Sequence, residues 1–197
     1  MNNIKAIETL YNGYKFRSRL EARWAVFFDA VGSKWEYEKE GFDLNGTYYL
    51  PDFYLPEWSA WVEIKPKVFA EESKGHDNCI LLSKVTSPDR VLMISGNPWF
   101  GEHSVIACEC GVTKRVGVLG ETRGLNWDFV GLDLVTPGVD GWYPITTFNS
   151  LSLEYAFTQA RQARFEHGDT VRVVPFEKTS DSVVQRFIME DIEDVIS

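Results

Sequence analysis

The sequence predicts a mixed α/β (α+β) domain, a mixed central sheet flanked by helices, and three observations lead there. Apolar residues recur at three-to-four spacing in segments 18–31 and 151–167. Between them, short runs alternate apolar and polar residues and are bounded by Gly, Pro and Asn. The length of 197 residues, with 44% hydrophobic and 25% charged, suits one globular core.

Each element has its own signal. Leu20, Trp24, Phe27, Phe28 and Val31 form one helical stripe over 18–31, Ser18 and Glu21 fit a capping box at its start, and Gly32 stands just beyond its end. Strands are expected over 34–38, 48–55 and 60–65. Gly41 and the Asn45-Gly46 turn signal separate the first two, and residues 56–59 separate the last two. A less regular helix is expected within 69–85, weakened by Gly75, followed by strands over 90–94, 104–108 and 114–119. Residues 123–147, rich in Gly, Asp and Trp, show little periodicity and receive no element. The helix over 151–167 places Leu153, Ala156, Phe157, Ala160 and Phe165 near one side, with Gly168 as its terminator. A final helical stripe runs through Val184, Phe187, Ile188, Ile192 and Val195, which is expected to dock on its own domain or on a second copy in a homodimer. The chain is therefore divided into one domain over 1–176, with an elaborated middle region at about 97–148, and an acidic helical tail over 177–197.

Composition excludes several classes. The longest apolar run, residues 24–28, is far short of the roughly 18 needed to span a membrane, and the first residues lack a basic region followed by an apolar one, so neither insertion nor secretion is expected. Three cysteines are an odd number for a disulfide framework, which makes a reducing, cytoplasmic setting the default. The net charge of −9 argues against a protein that coats nucleic acid by bulk attraction, yet screening over about 10 Å lets a local basic patch or a bound cation act independently of it.

The chemistry concentrates in YLPDFYLPEWSAWVEIKPK, residues 49–67. On a strand over 60–65, side chains alternate, so Trp61, Glu63 and Lys65 share one face and Val62 and Ile64 the other. A hairpin centred near Glu57 and Trp58 brings Asp52 opposite Glu63, and a slip of one residue would separate them. Two acids so placed repel each other unless a cation lies between. Magnesium, or manganese in its place, suits Asp52, Glu63 and the backbone carbonyl of Ile64 as ligands. Such an ion polarises a phosphoryl oxygen and acidifies a bound water, while Lys65 orients that water: these are the needs of phosphodiester hydrolysis. A surface salt-bridge ladder would use the same residue types. Against it, Asp52 and Glu63 lie amid Tyr, Phe, Leu, Trp, Val and Ile, where unpaired surface charge is not expected.

Pro51-Asp52, ten residues, then Glu63-Ile64-Lys65 resembles the signature of the PD-(D/E)XK nuclease superfamily, and YKFRSRLEARWAVFFDAVGSKWEYEKEGF resembles the first helix and strand of its small phage-type members. The resemblance covers residues 14–67, more loosely ARQARFEHG near the end. It implies a restriction-endonuclease-like core, a magnesium-dependent DNA endonuclease, and Glu21 as a fourth catalytic residue beside Asp52, Glu63 and Lys65. Capping by Ser18 and Glu21 explains that glutamate without catalysis. A four-way-junction resolvase is the alternative within the class, and a catalytically silent nucleic-acid-binding or interaction module is the alternative outside it.

Lys15, Arg17, Arg19 and Arg23 surround the start of the first helix, and Lys67 follows the site, so these five are the candidate DNA-backbone contacts; an ordinary solvated helix face is the competing explanation. Arg161 and Arg164 are equally well explained as surface or ion-paired residues. Cys108 and Cys110, with Cys79, His76 and His103, provide only a weak zinc signal, since structural zinc usually shows two paired ligand motifs.

Overall fold

A computed structural model describes residues 6–66, 74–98, 103–119, 130–135, 142–148, 150–165 and 171–176. The chain opens with a hairpin of β1 (Thr9–Tyr11) and β2 (Tyr14–Phe16). Helix α1 (Arg19–Val31) follows, with Ser18 as N-cap. Its stop is backbone chemistry: Gly32 takes φ 79°, a left-handed conformation that costs glycine no Cβ clash, and its N–H returns to the last turn.

Strand β3 (Glu36–Tyr37) is shorter than the sequence suggests, because Glu38 turns to positive φ. Next come β4 (Phe42–Leu44) and β5 (Thr47–Tyr49), a separate hairpin, then β6 (Phe53–Leu55). The expected single strand over 48–55 is thus two strands. Asn45 and Gly46 both adopt positive φ and close a tight turn that commits residues 47–49 to β4, and Pro51, with no N–H to donate, breaks the ladder before β6. A 3-10 turn over Pro56–Trp58 leads into β7 (Ala60–Lys65), whose bounds match the expectation.

Helix α2 (Lys74–Val85) connects β7 to the parallel strand β8 (Arg90–Ser95); residues 67–73, in which the helix was expected to begin, lie outside the described residues. Strands β9 (His103–Glu109) and β10 (Val112–Leu119) extend the same sheet. A further hairpin, β11 (Val130–Val135) with β12 (Trp142–Phe148), occupies the stretch that showed no element. Its pairing shifts register after Leu132 and carries Pro144 within a strand, and both features erase the simple two-residue period. Helix α3 (Ser150–Gln162) ends sooner than the expected 167. The expected terminator Gly168 and the tail over 177–197 lie outside the described residues.

Among the described residues the central sheet has six strands in the order β10-β9-β8-β7-β6-β3 and is mixed, with β7 and β8 parallel and the other neighbours antiparallel. Alternation divides its side chains between two cores. Val62, Ile64, Leu92, Ile94, Val105 and Ala107 meet α1 and α3 through Trp24, Phe27, Phe28, Ala156 and Phe157. On the other face Trp61, Val91, Met93, Ile106 and Cys108 meet Cys79 and Leu82 of α2. Tyr11 and Trp35 both donate to the Asp29 carboxylate, at 2.6 and 2.8 Å, and so tie the first hairpin and the segment after α1 to that helix. Among the described residues, no helix is long and apolar enough to cross a membrane.

Candidate functional site

The site forms where β6 begins, β7 ends and α1 starts. Pairing of Phe53 with Val62 and Tyr54 with Trp61 carries one step further to Asp52 opposite Glu63. Both acids are buried, at 4% and 8% exposure. Asp52 Oδ2 accepts the Ile64 N–H at 2.7 Å, and Oδ1 accepts Arg17 Nη2 at 2.7 Å. Glu63 Oε1 takes the ammonium of Lys65, while Glu63 Oε2 is buried with no hydrogen-bond partner among the described residues. Lys65 is the side chain of this group that reaches outward, being about one third exposed.

The electrostatics follow from burial. Loss of water and then the nearby Glu63 carboxylate raise the Asp52 pKa well above 3.8, with Glu21 adding to the rise; the Ile64 N–H and Arg17 oppose it. Burial works against the charge on Lys65, but Glu63 and Asp52 outweigh it and raise its pKa. Tyr49 lies beside the same group: burial and then the Glu63 and Asp52 carboxylates hold its hydroxyl protonated, and that buried hydroxyl sits next to Glu63 without meeting hydrogen-bond geometry.

Glu21 is engaged locally. Its N–H donates to Ser18 Oγ at 3.2 Å, Ser18 Oγ donates to its Oε1 at 2.6 Å, and Tyr37 Oη donates to its Oε2 at 2.6 Å. The Arg17 N–H also reaches Oε2, at 3.2 Å. Half of the expected capping box is thus formed, Ser18 Oγ accepting the Glu21 N–H, while the Glu21 carboxylate reaches the Arg17 N–H one residue earlier; the same carboxylate adds its field to Asp52.

The candidate backbone contacts are dispersed. Lys15 pairs with Glu8 at 2.7 Å in the open hairpin. Arg17 spans Asp52 and, through Nε at 2.6 Å, Glu38. Arg19 is half-buried in the first turn of α1, and Arg23 donates to Asn97 Oδ1 at 3.2 Å. Lys67 lies outside the described residues. Tyr37, Glu38, Tyr49 and Asn97 had no sequence signal; each is brought in by a contact between elements distant in the chain.

Asp52 and Glu63 fit a hard divalent cation. Glu63 Oε2 is a buried acceptor without a hydrogen-bond partner among the described residues, its neighbour Tyr49 hydroxyl being likewise unpartnered, and the Asp52 pKa, raised first by burial and then by Glu63, would be drawn down by a cation there. Within a strand, N–H and C=O of one residue leave on the same side, so the Ile64 carbonyl faces the Asp52 side, past the end of the β6 ladder. Among the described residues no group of three or more His, Cys, Asp or Glu side chains is arranged around one point, so a cation here would have to rest on two carboxylates, a carbonyl and water. The thiols do not assemble a zinc site. Cys79 and Cys108 are buried in the α2-side core, with the Cys108 thiol pushed up to about 11 mainly by burial, whereas Cys110 is exposed in a turn and His76 contacts Thr113 at 2.7 Å. The His103 side chain lies outside the described residues.

Compared with family models, with curated proteins and with solved structures, the chain matches none.

The raised Asp52 pKa has a stability consequence. A carboxyl that binds its proton more tightly when folded favours the folded state fully below 3.8, and that contribution is lost as pH rises through the folded value. In chelator, Asp52→Asn should therefore be more stable than wild type at pH 8, and the gap should close as pH falls toward the ordinary carboxylate range. Urea denaturation across pH measures this; a gap that widens toward acid would contradict it.

Proposed function

We propose that the chain is a divalent-cation-dependent DNA endonuclease of the PD-(D/E)XK type, built on a restriction-endonuclease-like core. The observation that carries this reading is the convergence of the buried Asp52 and Glu63 with the partly exposed Lys65 at the ends of two adjacent strands, with one Glu63 oxygen left unpartnered. Asp52, Glu63 and the Ile64 carbonyl would hold magnesium, with manganese as a substitute. The ion, when bound, supplies Lewis acidity toward a phosphoryl oxygen and lowers the pKa of a water. Lys65 stands beside Glu63 and reaches toward solvent, so its ammonium can orient an attacking water and offset charge on a phosphate. Glu21 holds the helix start against Tyr37 and Arg17 and adds negative charge near Asp52. Arg19 and Arg23 flank the same end of α1, where a DNA backbone would pass.

A catalytically silent binding module is the second reading, favoured by the Arg17–Asp52 ion pair, which meets the charge of one carboxylate without any metal. Incubating the purified chain with linear, supercoiled and four-way-junction DNA separates the two. Cleavage is expected with magnesium and not with chelator. Cleavage confined to the junction would make the enzyme a resolvase, and intact DNA with both magnesium and manganese would leave only the silent module.

A further inference from the structure

Arg17 is placed unlike the other basic residues. Its backbone N–H is fixed by Glu21 and Tyr37, so the residue cannot drift from the mouth of the site. Its guanidinium forks: Nη2 lies 2.7 Å from Asp52 Oδ1 and Nε 2.6 Å from Glu38 Oε1. The partners differ in kind. Asp52 is almost wholly buried, whereas 54% of the Arg17 side chain and 27% of the Glu38 side chain are exposed. The inner oxygen of Asp52 is held by the backbone at Ile64, so Arg17 is the charged partner on the outer oxygen.

That outer oxygen is held by a side chain and not by the backbone, so it is the one that can change partner. A guanidinium brings one positive charge and, at this position, leaves Glu63 Oε2 without a partner. A divalent cation brings two charges and can serve both carboxylates. Resting on the metal-site reading above, we infer that Arg17 is an exchangeable counter-ion, which holds Asp52 Oδ1 in the cation-free protein and yields it to an incoming divalent cation. Glu38 keeps the released side chain at the mouth of the site, where its planar fork suits a substrate phosphate. Cation binding and DNA binding are thereby coupled through one side chain, since the cation frees the group that the phosphate needs.

The test uses calcium as the probe ion, which takes the same oxygen ligands, with calorimetry for calcium affinity and a short duplex for DNA affinity in calcium. Arg17→Met should bind calcium roughly tenfold more tightly and DNA roughly fivefold more weakly than wild type. The opposite signs are the signature, because a residue that only supports the local fold would weaken both. Arg17→Lys keeps the charge without the fork and should fall between wild type and Arg17→Met on both axes. Unchanged or weakened calcium affinity in Arg17→Met, or any other ordering of the three proteins, overturns the inference. If Asp52→Ala abolishes calcium binding while the Arg17 variants match wild type, the metal site stands and only the exchange fails; if no protein binds calcium, both fail.

Discussion

Replacing Lys65 with alanine should cost metal-dependent DNA cleavage roughly a thousandfold and leave divalent-cation binding in place. The ammonium is paired to Glu63 Oε1, so its removal takes a positive charge from the attacking side while both carboxylates and the Ile64 carbonyl remain. The acid variants should behave differently. Asp52→Ala and Glu63→Ala each take away a ligand, so both cleavage and cation binding should disappear. Calcium titration of each variant, alongside a magnesium cleavage time course, distinguishes the two patterns. Full activity of the Lys65 variant, or full activity of wild type in chelator, would contradict the proposed chemistry.

Trp24→Ala should be the most destabilising single change in α1, at about 3–5 kcal/mol, a large share of the roughly 5–15 kcal/mol that holds a domain folded. Trp24 is fully buried, and its ring centroid lies 5.2 and 5.9 Å from those of Phe27 and Phe28. Its indole Nε1 donates to the Gly96 carbonyl at 3.0 Å, and the Gly96 N–H donates in turn to the Lys65 carbonyl at 2.8 Å. The truncation therefore opens a cavity under the sheet and loosens the end of β7 that carries the site. Trp24→Phe refills most of the cavity but orphans the Gly96 carbonyl, so about 1–3 kcal/mol should remain lost. Denaturant unfolding reads both variants; a loss below about 1 kcal/mol for Trp24→Ala would show that α1 does not anchor this edge.

Local signals carried part of the fold. Helix α1 was readable because its apolar stripe, its Ser18 cap and its Gly32 stop all agree within a short window. Strand β7 and the opposition of Asp52 to Glu63 were readable because the 3-10 turn at Pro56–Trp58 leaves few registers between two alternating runs. The break between β5 and β6 was harder to see. Apolar alternation continues through Leu50, and only Pro51 together with the competing hairpin to β4 ends the strand. The hairpin of β11 and β12 has an irregular register, so no single period could reveal it.

What the sequence by itself determined is a set of periods and spacings: which residues share a strand face, where α1 begins and ends, and that two acids and a lysine meet at one point. Only the tertiary structure decided the state of those groups. Arg17 reaches Asp52 across 35 residues, Tyr37 reaches Glu21 across 16, and the assembly of elements distant in the chain excludes water from both carboxylates, which are 4% and 8% exposed. The raised Asp52 pKa and the unpartnered Glu63 oxygen come from that exclusion of water, a property of elements distant in the chain being pressed together, which spacing along the chain does not encode.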